Sequence, residues 1–149
     1  MKTVAEEGIN STPYVRIKWE DRSVGNALFD TGAQWTLVSE SLLTTKERKE
    51  MEESCLSGQG VSGEKIPVLG EIWRSVKLGE TLFPNQRFVV VRKMVCPVIL
   101  GIDFWSRISQ LSFDFNKRVM MIEGTEEEIP LALATPSNWR CSNTGNRKY

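Results

Sequence analysis

Histidine is absent from this 149-residue chain, and that absence removes the commonest routes to hydrolysis. A Ser-His-Asp or Cys-His centre needs an imidazole base, and most catalytic zinc sites use histidine ligands. Cysteine is scarce. Cys55, Cys96 and Cys141 are an odd number at wide spacing and fit neither a disulfide framework nor a zinc pair. Charge of one sign is lacking as well: Lys+Arg and Asp+Glu both count 19. There is no basic excess for neutralising nucleic-acid phosphates or for holding an anionic membrane. Long apolar runs are missing, since no stretch approaches the ~18 residues of a membrane span. Met1 to Asn10 has no apolar signal core. These absences predict no nucleic-acid or membrane partner and no metal or other cofactor. They also predict a protein that is not secreted, either cytoplasmic or packaged in a particle assembled inside a cell. If the chain is a hydrolase, carboxylates or lysines must move the protons.

What is present is a succession of short strand-like segments, enough for one core. Tyr14 to Trp19 alternates in character, Glu20 to Ser23 makes a polar turn, and Gly25 to Phe29 runs into a second strand. Thr36-Leu37-Val38 is a third strand. Thr44 and Glu47 stand at capping-box spacing before a Lys- and Glu-rich stretch, which predicts a short helix with Glu47–Glu53 on a solvated face. Gly58, Gly60 and Gly63, followed by Ile66-Pro67-Val68-Leu69, read as a hairpin tip between strands. Strands are predicted at Ile72–Leu78, Arg87–Val91 and Val98–Leu100. Asp103 is placed to cap a short helix through Ile108. Leu111, Phe113 and Phe115 alternate, and Val119–Ile122 returns. The expected organisation is a lead-in over 1–12, a mainly β closed barrel over 13–123 with one or two short helices, and a tail or linker over 124–149. Leu131 and Leu133 are its candidates for docking on the body.

Two segments carry chemistry. In Ala27-Leu28-Phe29-Asp30-Thr31-Gly32-Ala33 an apolar strand ends abruptly in a carboxylate, a hydroxyl and a glycine. Asp-Thr-Gly alone is also an ordinary strand-ending turn, arising by chance on the order of a few per cent of the time in a chain of this size. Pro97-Val98-Ile99-Leu100-Gly101 alone is a buried strand with a glycine turn. In this order, with the glycine-rich hairpin between them, they resemble the retropepsin family, the dimeric aspartic proteases of retroviruses and LTR retrotransposons. Leu28 to Ala33 resembles the family's active-site loop, and Gly60-Val61-Ser62-Gly63 its flap tip. Val98 to Gly101 resembles its apolar-apolar-Gly segment, and Asp103-Phe104 continues as in gypsy-type elements.

The resemblance spans roughly residues 14–122. It implies a retropepsin-like barrel, one lobe per subunit, and an aspartic endopeptidase working as a homodimer on a peptide or polyprotein substrate, in the cytoplasm or within virus-like particles. It assigns the catalytic loop to Asp30, Thr31 and Gly32. Substrate contacts fall to Ala33, Gly60, Val61, Ser62 and Gly63, and structural support to Ile99, Leu100 and Gly101. One Asp-Thr-Gly per chain means that the second carboxylate comes from a second copy. Trp35 is a candidate either for a substrate pocket or for the core. Two other readings fit the same residues: a domesticated cellular domain of the DNA-damage-inducible, ubiquitin-shuttle type, and a non-enzymatic β-barrel binding module.

Overall fold

Alternation in the first strand sets the architecture. In β1 (Thr12–Trp19) the side chains of Val15, Ile17 and Trp19 are buried while Arg16 and Lys18 are exposed, so one face must be covered. The protein is described by a computed structural model covering residues 12–54, 56, 58–59 and 65–134. A tight turn with Glu20 at positive φ leads to β2 (Arg22–Phe29), which pairs back on β1. Next come β3 (Leu37–Ser39), a 3-10 turn and helix α1 (Thr45–Glu50). The short strands β4 (Gly58–Gln59) and β5 (Lys65–Ile66) pair with each other. The long hairpin β6 (Val68–Leu78) and β7 (Thr81–Val91) follows, then β8 (Val98–Leu100) and α2 (Ile102–Trp105). The last strands are β9 (Leu111–Asp114), β10 (Val119–Ile122) and β11 (Ile129–Ala134).

Six of these strands close on themselves in the order β1-β2-β8-β3-β7-β6 and back to β1, and β11, β10 and β9 continue outward from β1. The expected mainly β closed barrel is the fold observed. Trp19, Val76, Leu78, Phe88, Val90 and Phe104 are among the residues that fill its interior, with the Trp19 and Phe88 rings 5.1 Å apart. The crossing that matters most lies at β8. It runs parallel to β2 (Leu28 beside Ile99, Phe29 beside Leu100) and antiparallel to β3 (Leu37 beside Ile99). A strand from late in the chain is thereby inserted between two early ones.

Helix α1 carries the capping box read from the sequence: Thr44 Oγ1 accepts from the Glu47 N–H, and Glu47 Oε1 accepts from the Thr44 N–H. Glu47 itself departs from the expected solvated face. It is buried and paired with Arg22 and Arg74, because α1 lies over the β1–β2 turn and β6 rather than in open solvent. Residues 129–134, expected within a tail, form β11, which pairs with both β1 and β10 and buries Ile129 and Leu131. Behind the acidic run the apolar alternation at 129 and 131 outweighs Pro130. That proline is exposed near the start of the strand, where a missing N–H is tolerated.

Candidate active site

Where β2 leaves the barrel, the chain turns sharply within four residues. The Asp30 N–H donates to the Leu100 carbonyl (3.2 Å), and the Ala33 N–H donates back to the Asp30 carbonyl (3.2 Å). The Gly32 N–H donates to Asp30 Oδ1 (2.9 Å), so the loop's own amide steadies the carboxylate. Asp30 is half-buried, and Thr31 and Gly32 are exposed.

The loop is held from beneath. Ile102 N–H donates to the Ala33 carbonyl (2.8 Å). Thr36, fully buried, donates its hydroxyl to Asp103 Oδ1 (2.6 Å) and accepts from the Gly101 N–H (3.1 Å). Asp103 Oδ2 accepts from Gln86 Nε2 (3.2 Å). Asp103 is therefore not the helix cap that its position predicted. Gly101 is the N-cap of α2, and the Asp103 carboxylate ties α2 to the loop and to β7. Gly101 is required by close approach: a Cβ there would lie 2.4 Å from the Trp35 carbonyl oxygen and 2.8 Å from that of Ala33. The structure thus brings Ile99, Leu100 and Gly101 against Asp30–Ala33. Residues 60–64, which include Gly60, Val61, Ser62 and Gly63, lie outside the described residues. The flanking ladder Gly58–Ile66 and Gln59–Lys65 is present.

Side-chain alternation sorts the two faces of the wall. Phe29 packs on the main core, its ring tilted against that of Trp105 with centroids 4.1 Å apart. Leu28 and Asp30, either side of it in sequence, share the opposite face. Leu28, Cys96 and Ile99 form a second apolar cluster there, joined by Tyr14, Ala33, Leu37 and Met94. Burial, and secondarily the Asp30 charge, push the Cys96 thiol up to about 12. Burial, and secondarily Cys96, raise the Tyr14 hydroxyl above its ordinary value. Neither group ionises at moderate pH, so Cys96 is not held as the thiolate that a nucleophile requires. Among the described residues no group of three His, Cys, Asp or Glu side chains is placed to hold a metal ion, and no helix is long and apolar enough to cross a membrane.

Sequence reasoning missed Thr36 and Gln86. A lone hydroxyl in an apolar strand was the available signal for Thr36, but its partner lies 67 residues away.

A carboxylate at the end of a barrel strand, braced by an inserted apolar strand and its glycine, defines an aspartic-protease lobe. The chain matches the aspartyl protease family over residues 15–104 and belongs to it. Its structure is similar to that of the retroviral protease-like domain of Ddi1 from Leishmania major (TM-score 0.62, 20% identity, covering 82% of this chain and 94% of that one). It is also similar to a retropepsin-like aspartic protease from Rickettsia conorii (TM-score 0.53, 15% identity, covering 81% and 84%). The fold is retropepsin-like. No curated protein matches the chain by sequence.

Proposed function

We propose that the chain is an aspartic endopeptidase of the retroviral or retrotransposon type, active as a homodimer, with Asp30 of each copy forming the catalytic pair. The observation that carries this reading is the braced loop itself: one half-buried carboxylate per chain, flanked by exposed Thr31 and Gly32 and floored by apolar side chains. A carboxylate alone can take a proton from water but has no acid beside it. Two such loops facing each other across a two-fold axis supply both roles, because like charges a few ångströms apart share one proton.

The ionised carboxylate takes a proton from water as the water oxygen adds to the scissile carbonyl. The protonated one donates to the carbonyl oxygen. As the tetrahedral intermediate collapses, the C–N bond breaks and the amine leaves with a proton. Thr31 braces the paired loops by hydrogen bonding, and Gly32 lets the backbones approach. Ala33 and the segment Gly60–Gly63 contact an extended peptide. Ile99, Leu100 and Gly101 hold the loop in place. The natural substrate on this reading is the polyprotein that contains the domain.

The test is Asp30→Asn, nearly isosteric but without a shareable proton. Cleavage of a peptide library at mildly acidic pH, sensitive to pepstatin in the wild type, should fall at least ~100-fold, the lower bound for removing an acid–base pair. Sedimentation and circular dichroism should stay unchanged. Mutant activity within tenfold of wild type would refute the assignment.

A further inference from the structure

The face that carries Asp30 continues past the catalytic loop. Trp35 and Leu37 alternate with Thr36 and Val38, which are fully buried, and Leu37 packs with Leu28 in the second cluster, so the outer face of Leu28 and Asp30 continues towards Trp35. β3 runs parallel to β7 with Leu37 beside Val89, and the Val89 N–H donates to the Thr36 carbonyl (2.9 Å), so the chain just before β3 runs on alongside β7 towards Arg87. On the other side of Arg87, β6 places Trp73 directly opposite. The three side chains form one row across the sheet. The Arg87 guanidinium lies 4.6 Å from the centre of the Trp35 ring and 5.9 Å from that of Trp73. Trp73 is 42% exposed, one of the few large apolar residues left so among the described residues.

The charge in the row is already balanced. Glu71, buried two residues before Trp73 on β6, has its Oε2 3.6 Å from Arg87 Nη1 and fixed by the Ser54 hydroxyl (2.6 Å). An acidic ligand would meet Glu71 as well as Arg87. A flat apolar ligand would meet two indoles and a neutralised guanidinium, which favours aromatic stacking. Three ladder steps separate β2 from β7. At ~4.8 Å per step and ~3.3 Å per extended residue, the row lies about four residues along a peptide from the strand that ends at Asp30.

We infer that the Trp35–Arg87–Trp73 row is an outer subsite that selects an aromatic substrate side chain three or four residues from the scissile bond. This inference rests on the proposed peptidase reading. It makes Trp73 a specificity-determining residue outside the catalytic loop, with Arg87 as the residue that positions it.

The test uses three otherwise identical peptides with Phe, Ala or Glu at that position. Wild type should prefer Phe to Ala by about three- to tenfold in kcat/KM, the range an aromatic pair supplies, with the difference in KM. Trp73→Ala should erase the preference, bringing the Phe and Ala peptides to equal kcat/KM, and Arg87→Met should weaken it. Binding of the same peptides to the Asp30→Asn variant, followed by tryptophan fluorescence, separates the two readings. If no peptide is ever cleaved but the Phe peptide binds tightest and Trp73→Ala abolishes that preference, the peptidase reading falls and the subsite stands. Equal handling of all three peptides, a preference for Glu, or selectivity that survives Trp73→Ala would overturn the inference.

Discussion

Gly101 sits where two backbones cross, and Gly101→Ala tests whether that crossing holds the Asp30 loop. The added methyl would lie 2.4 Å from the Trp35 carbonyl oxygen, 2.6 Å from the Trp35 carbonyl carbon and 2.8 Å from the Ala33 carbonyl oxygen. All three are backbone atoms, so no side chain can swing aside and the strands must separate. Forcing a methyl into such a contact costs about 1–3 kcal/mol. Separation also stretches the Ile102–Ala33 and Gly101–Thr36 hydrogen bonds, each worth ~1 kcal/mol. The sum is roughly 3–5 kcal/mol, a large share of the ~5–15 kcal/mol that holds a domain together. In urea, with a slope of ~2 kcal/mol per molar, the midpoint should drop by about 1.5–2.5 M. Gly32→Ala is the internal control. Its Cβ would meet only Asp30 Oδ1, at 3.2 Å, so its stability should change much less even where activity suffers. A Gly101→Ala midpoint within ~0.5 M of wild type would show that the loop is not held by this crossing.

Glu47 should govern part of the acid sensitivity. Burial pushes its carboxyl up, but the Thr44 N–H and the Arg22 and Arg74 guanidinium groups outweigh burial and hold it below its ordinary 4.5. Its contribution is therefore fully present above pH 4.5 and lost as pH falls through the lower folded value. In thermal melts across an acid series, the stability gap between wild type and Glu47→Gln should narrow below that pH, and a constant gap would refute the linkage. Activity per molecule should fall on dilution, because each chain supplies one Asp30. Thr31→Ala should raise the dimer dissociation constant by roughly thirtyfold, the effect of one ~1 kcal/mol hydrogen bond lost from each copy. Sedimentation paired with activity decides this, and a fully active monomer would end the dimer reading.

Much of the barrel was legible because its signals are local: alternation in β1, the capping box at Thr44 and Glu47, and the abrupt end of β2 at Asp30. The β8 segment was legible as a buried strand ending in a glycine turn, and its place beside the Asp30 loop only through the family resemblance. The roles of Asp103 and Thr36 were not. A short carboxylate before a helix reads as a cap, and only the insertion of β8 between β2 and β3 brings a distant hydroxyl to compete for it. The Trp35–Arg87–Trp73 row depends on register across three segments, which no local pattern encodes. In β11 the strand signal was masked by the acidic residues ahead of it and by Pro130, until its pairing with β1 made those costs small.

That last pairing has a topological consequence. Thr12 and Ala134 are direct partners across β1 and β11, so the barrel's first and last strands begin and end side by side, ~5 Å apart. A host polypeptide can accept the whole barrel as an insertion at a single surface point without stretching its own fold. By the same geometry, linking Ala134 to Thr12 with a few residues in place of 1–11 and 135–149, and opening the chain at the β9–β10 turn, should yield a circular permutant with every strand pairing intact.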